Sequence, residues 1–117
     1  MSARKNKSHL VKALLWSLQG LAAAWQETAF RQEIALLCIF VPLAFLIEHS
    51  GLERAMLLGS LMLILLAELF NSAIEAAIDR IGPEQHPLSG RAKDLASAAV
   101  FIALINAALV WLLILLG

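Results

Sequence analysis

Between Glu68 and Arg80 the chain reads Glu-Leu-Phe-Asn-Ser-Ala-Ile-Glu-Ala-Ala-Ile-Asp-Arg, with polar residues recurring at intervals of three and four. At about 100° per residue, Glu68, Asn71, Glu75 and Asp79 fall within roughly 80° of one another on a helix, and Ser72 borders the same stripe. Hard carboxylate oxygens beside an amide suit Mg²⁺ or another oxygen-seeking cation, not a zinc ion held by thiolates. A carboxylate that lacks a cationic partner in a low-dielectric setting can also serve as a general base. Glu68 fits that work best, because it follows uncharged residues from Ala55 to Ala67 and has no basic residue in register nearby. Asp79 has an ordinary alternative, an interfacial ion pair with Arg80 or another base. An intramembrane proton or cation relay would draw on the same groups.

Two further clusters flank the stripe. Glu27 and Glu33 sit in Trp25-Gln-Glu-Thr-Ala-Phe-Arg-Gln32-Glu33, where solvation at headgroup level is the ordinary expectation. Ser89-Gly-Arg-Ala-Lys93-Asp94 opens the last apolar run; its basic pair either binds phosphate or marks the cytoplasmic side. His86 lies between Pro83 and Pro87 and reads as loop surface. The chain has no Gly-x-x-x-x-Gly-Lys loop and no Gly-rich dinucleotide fingerprint, so a nucleotide would need a non-standard site. Cys38 is the sole cysteine, which excludes an internal disulfide and leaves it as a packing residue.

The elements that must position these groups follow from charge segregation. The chain has 117 residues, 61% hydrophobic and 15% charged, well above the apolar share of about 45–50% usual for soluble domains. Nine basic and nine acidic residues cancel, which removes an electrostatic case for nucleic acid. All these charges lie in residues 1–33, 48–54 and 68–94. Uncharged apolar runs between charged blocks predict an all-α membrane protein with one domain over 1–117.

Residues 1–8 read as a polar, basic tail. Over 9–26, Leu10, Leu14, Leu18 and Leu21 recur at helical spacing, but Lys12, Ser17 and Gln19 interrupt the apolar run. An amphipathic interfacial helix is therefore expected, carrying Trp16 and Trp25. Three membrane helices are expected over 29–48, 54–81 and 94–116, with a turn at His49-Ser50-Gly51, a stop at Gly82-Pro83 and a polar loop over 82–91. Arg4, Lys5, Lys7 and Lys12 flank one end of the first span, and Arg80, Arg91 and Lys93 lie in the second connection. The positive-inside rule puts the N-terminus in the cytoplasm and the C-terminus outside.

The strings AAWQETAFRQE (23–33), ELFNSAIEAAIDRIG (68–82) and SGRAKDLASAAV (89–100) closely resemble the prokaryotic integral-membrane diacylglycerol kinase family, in order and over nearly the whole chain. The resemblance implies an ATP-dependent lipid kinase of the bacterial inner membrane. Its substrate would be diacylglycerol, with undecaprenol the alternative acceptor and a small ion-coupled transporter the alternative of another class. It further implies a homotrimer of three-span subunits, each with a surface helix, whose active sites are shared between neighbours. By position, Glu68 would be the general base, with Asn71 beside it. Glu75 and Glu27 would bind the divalent metal, Mg²⁺, that bridges the phosphates of ATP. Lys93 would contact those phosphates, with Asp79, His86 and Asp94 near the nucleotide. Lys12 and Ser17 match surface-helix positions that help close the nucleotide site. Gln32 and Glu33 match a polar stretch that would contribute to the substrate side. His9 and Trp16 stand where an arginine and a tyrosine are common in the family, and the segment between Trp25 and Glu27 is one residue short.

Overall fold

The computed structural model describes the backbone of residues 2–117 and the side chains of residues 8–117. Among the described residues the chain is helix and connecting turn without a strand: α1 (Ser2–Ala24), α2 (Thr28–Leu46), α3 (Gly51–Ile81) and α4 (Pro87–Leu116). The last three are long and apolar enough to cross a membrane. Most of the stretch expected as a polar tail, 1–8, falls outside the described side chains; the α1 backbone runs from Ser2.

α1 leaves Leu10, Val11, Leu14, Leu15 and Leu18 more than half exposed, and among its described side chains only Ala24 is buried. A helix with that much uncovered apolar surface belongs at an interface. It ends at Ala24 rather than 26, because Gln26 N–H and Glu27 N–H turn back to the Ala23 and Ala24 carbonyls at 3.1 and 2.9 Å. Arg31 Nη1 donates to the Trp25 carbonyl at 3.1 Å and ties this joint to α2.

α2 continues through Pro42 to Leu46. Beyond it, α3 begins at Gly51 instead of 54, because Ser50 and Glu53 form a reciprocal capping box. Ser50 Oγ accepts from the Glu53 N–H at 3.1 Å, and Glu53 Oε1 accepts from the Ser50 N–H at 3.2 Å. Two orphan donors at the helix start are thereby satisfied. Arg54 returns across this turn: Nε donates to the Ala44 carbonyl at 3.0 Å and Nη2 to the Ile47 carbonyl at 3.2 Å. α3 stops at Gly82, whose φ of 145° is a backbone that side chains rarely tolerate.

The largest boundary correction concerns α4, which begins at Pro87 rather than 94 and absorbs half of the expected loop. Proline is pre-organised for the first helical position, where its missing N–H costs nothing, and His86 supplies the cap.

The core is concentrated toward the Arg54 end. Ala44, Leu57, Leu61 and Trp111 are buried together, with Phe40 meeting Trp111 edge-to-face at 5.1 Å and 74°. Closer to the middle, Ile64, Ala103, Ala107 and Ala67 join α3 to α4. Small residues let these two backbones approach closely, the usual means of packing helices where lipid offers no hydrophobic drive. Along α3 the buried residues end at Glu68, and the polar stripe runs on from there.

Candidate active site

α3 carries the stripe in an unbroken helix, so the spacing read from sequence becomes a spatial row. Glu68 is only 7% exposed. The two ion pairs among the described residues, His49–Glu53 and Lys93–Asp79, leave it without a cation. Instead, Glu27 and Glu75 lie within electrostatic reach of it, and Glu68 in turn acts on Glu33 from α2. Four carboxylates from α2, α3 and the joint before α2 therefore converge on one region. One turn on from Glu68, Asn71 is half-buried and its Nδ2 donates to Glu75 Oε1 at 3.5 Å. Asn71 Oδ1 and Glu33 Oε2 are buried with no hydrogen-bond partner. Unpaired buried polar atoms cost about 1–3 kcal/mol each; Trp111 Nε1 in the core is another, and the two acceptors are those on residues in or beside the row on α3.

Glu27 occupies the N-cap of α2, yet its carboxylate makes no capping bond. It opens onto a cleft of about 580 Å³ between α1 and α3, lined by Ser17 and Gly20 of α1 and by Ser72, Ala73 and Ala76 of α3. The small side chains explain the cleft: alanine, glycine and serine leave room that leucine would fill. Ser17 Oγ donates back to the Ala13 carbonyl at 2.8 Å, keeping its lone pairs toward other partners.

A second cavity of about 650 Å³ lies at the α3–α4 connection, lined by Asp79, Glu84, His86, Ser89, Gly90 and Lys93 among others. Lys93 Nζ stands 3.6 Å from Asp79 Oδ1, with side chains 46% and 73% exposed. At that exposure the pair is solvent-screened and exchangeable, and it leaves Lys93 able to meet an anion.

Ser17 and Glu27 thus line the α1–α3 cleft, Glu68, Asn71 and Glu75 follow one another along α3, Glu33 borders the apolar pocket between α2, α3 and α4, and Asp79, His86 and Lys93 surround the connection. Lys12, Gln32 and Asp94 are exposed and line neither cavity. Sequence reasoning passed over Glu84 and Ser89 as cavity liners; the only signal was their place between two loop prolines and a helix start. It also passed over the cross-helix proximity of Glu33 and Glu68, for which no local spacing exists.

Could this donor set hold a divalent cation? Among the described residues no group of three or more His, Cys, Asp or Glu side chains is poised to enclose one. Mg²⁺ seldom needs such a cage: it commonly takes one or two carboxylates and completes its shell with water and substrate phosphates. Glu27 and Glu75, each within electrostatic reach of Glu68, have the donor chemistry for that mode and not for a closed structural metal site.

A family model described as prokaryotic diacylglycerol kinase matches residues 15–115. Curated relatives called diacylglycerol kinase match at similar extent. One from Haemophilus influenzae is 49% identical over 105 residues, covering 89% of each chain. One from Escherichia coli is 47% identical over 109 residues, covering 92% of this chain and 89% of its own. One from Helicobacter pylori is 44% identical over 108 residues, covering 92% and 84%.

Proposed function

The chain belongs to the prokaryotic diacylglycerol kinase family, and from that premise we propose how its own residues phosphorylate diacylglycerol to phosphatidic acid. ATP is the phosphoryl donor that a kinase of this family uses. The observation that carries the reading is the buried, cation-free Glu68 in a row with Asn71 and Glu75.

Phosphoryl transfer asks little covalent chemistry of a protein; it asks for positioning and for neutralised charge. Glu68 accepts the proton of the lipid's primary hydroxyl as that oxygen bonds to the γ-phosphorus and the bond from phosphorus to the β–γ bridging oxygen breaks, releasing ADP. Asn71 orients Glu75 through its Nδ2, and its unpaired Oδ1 is available to the substrate side. Glu75 and Glu27 would hold Mg²⁺, which when bound would supply neutralisation of the phosphate charge. Lys93 exchanges Asp79 for phosphate oxygens, and Asp79 and His86 border the nucleotide. Glu33 bounds the substrate side with Gln32; Asp94 and Lys12 contribute from the rim, and Ser17 from the α1 wall of the cleft.

The diacylglycerol reaches Glu68 laterally from the bilayer, and ATP enters from the cytoplasm, where the N-terminus and the α3–α4 connection lie. The apolar face of α1 excludes water at the level of the reacting groups. The chain works as a homotrimer of the bacterial inner membrane, with sites shared between neighbours, as the family resemblance implies. Ile39, Leu63, Phe70 and Phe101 are exposed and offer apolar surface to neighbours and lipid.

The test presents purified protein in mixed micelles with γ-labelled ATP, Mg²⁺ and either diacylglycerol or undecaprenol. Label is expected in phosphatidic acid. Label in the polyprenol alone would replace the acceptor, and cation flux across sealed vesicles without labelled lipid would replace the whole kinase reading.

A further inference from the structure

His86 stands immediately before α4 in an extended conformation (φ −123°, ψ 137°), with Pro87 opening the helix. Its Nδ1 accepts a hydrogen bond from the Leu88 N–H at 3.1 Å, and its carbonyl accepts from the Gly90 N–H at 3.0 Å. The first N–H groups of a helix have no partner within it. Pro87 has none to satisfy, so Leu88 presents the first such donor, and an imidazole does what Ser, Asp or Asn usually does. Lys93 follows His86 by about two turns, within about 20° of the same face, and both line the cavity at the α3–α4 connection.

We propose that His86 is a positioning residue for phosphoryl transfer: its Nδ1 cap fixes the first turns of α4 and so the placement of Lys93 against the phosphates. This rests on the kinase reading of that cavity. The bond requires Nδ1 to be the acceptor, which makes the ring the Nε2–H tautomer. Nδ1 is therefore committed to the fold, and a ligand in the cavity can meet only the Nε2 edge. Asp79, Glu84 and Lys93 are the charged groups that share the cavity with it. The role differs from direct nucleotide contact, because it acts through the backbone of α4.

Two substitutions separate cap from contact. His86→Asn keeps a short acceptor at the cap but has nothing at the position of Nε2. His86→Gln extends an amide toward that position but caps poorly. In the full chain, assayed in mixed micelles with diacylglycerol and Mg²⁺, H86Q is expected to raise KM for ATP about fivefold, the equivalent of the ~1 kcal/mol typical of a side-chain cap, with kcat little changed. Amide exchange at Leu88 should accelerate by a similar factor in H86Q. H86N should keep Leu88 exchange within about twofold of the wild type, and its KM for ATP should lie closer to the wild-type value than that of H86Q. An H86N variant as impaired as H86Q, or more so, would overturn the proposal, as would unchanged Leu88 exchange in H86Q. Exchange at Leu88 reads the cap without turnover, so a wild type that transfers no phosphate would refute the kinase reading while the cap is still decided.

Discussion

Replacing Glu68 with glutamine preserves the shape of the side chain and removes both its charge and its capacity to take a proton. The structure makes the two consequences opposite in sign. Glu68 is 7% exposed, with Glu27, Glu33 and Glu75 all within electrostatic range and no ion-pair partner among the described residues. Removing one like charge from such a cluster should stabilise the fold by about 0.5–2 kcal/mol, the scale common to single stabilising substitutions. Activity should move the other way. A positioned general base contributes about 10²–10⁴ in rate, which at ~1.36 kcal/mol per decade is about 2.7–5.4 kcal/mol of barrier. The loss should appear in kcat, with KM for ATP nearly unchanged, because Glu68 is not among the side chains lining the Lys93 cavity. Initial rates of phosphatidic acid formation give the first quantity, and denaturant unfolding in micelles gives the second. An E68Q variant that keeps wild-type kcat would refute the base. One that loses stability together with activity would make Glu68 a structural residue, and the reasoning from its uncompensated burial would fail.

Three other substitutions probe the rest of the bundle. Arg54→Ala removes two charge-assisted bonds to the Ala44 and Ile47 carbonyls; unfolding should become easier by about 1.5–3 kcal/mol, and Arg54→Lys should recover only part of that. Asp79→Asn breaks a largely exposed pair with Lys93, so stability should change by less than about 0.5 kcal/mol while KM for ATP shifts; an equal loss of stability and activity would contradict the exchangeable role. Trp111→Phe keeps the edge-to-face contact with Phe40 and removes a buried N–H that has no partner. Its unfolding free energy should fall within about 1 kcal/mol of the wild type, against about 3–5 kcal/mol lost in Trp111→Ala, and a Phe variant as weak as the Ala variant would show that the indole N–H is satisfied by lipid or a neighbour.

The sequence made the spans and the stripe legible because both depend on local spacing. Uncharged runs report bilayer-length helices, and a row of Glu68, Asn71, Glu75 and Asp79 needs only the helical period. Helix boundaries were harder, since they depend on caps. His49-Ser50-Gly51 read as a turn, but Ser50 and Glu53 close a capping box that draws α3 back over Gly51. His86-Pro87 read as loop, but an imidazole cap and a first-position proline draw α4 back by nearly two turns. Contacts between elements were far less legible. The sequence allows Asp79 an ion pair with Arg80 or another base, and Lys93 is that base. The reach of Glu33 to Glu68 and the return of Arg54 to the end of α2 depend on how connections fold. In sequence Arg54 is a single charge at the edge of an apolar run; in space it satisfies two carbonyls where α2 stops.

The distribution of these contacts explains how so short a chain supports a cluster of unpaired acids. Packing is strongest at the Arg54 end, where Ala44 and Leu57 are wholly buried and Arg54 closes the turn. Moving along α3 from that end, Ala103 and Ala107 hold α4 close as far as Ile64, one turn before Glu68. Beyond that point α3 presents Asn71, Ser72, Glu75 and small alanines, and the two cavities open beside it. Repulsion among the carboxylates opposes closure of that end. A cation and a phosphorylated ligand would reverse the balance, because they supply positive charge to the acids and oxygen partners to Lys93. The unsatisfied Asn71 Oδ1 and Glu33 Oε2 mark where the bundle is incomplete without such partners. Packing at one end of α3 therefore stabilises what the chemistry at the other end requires to remain open.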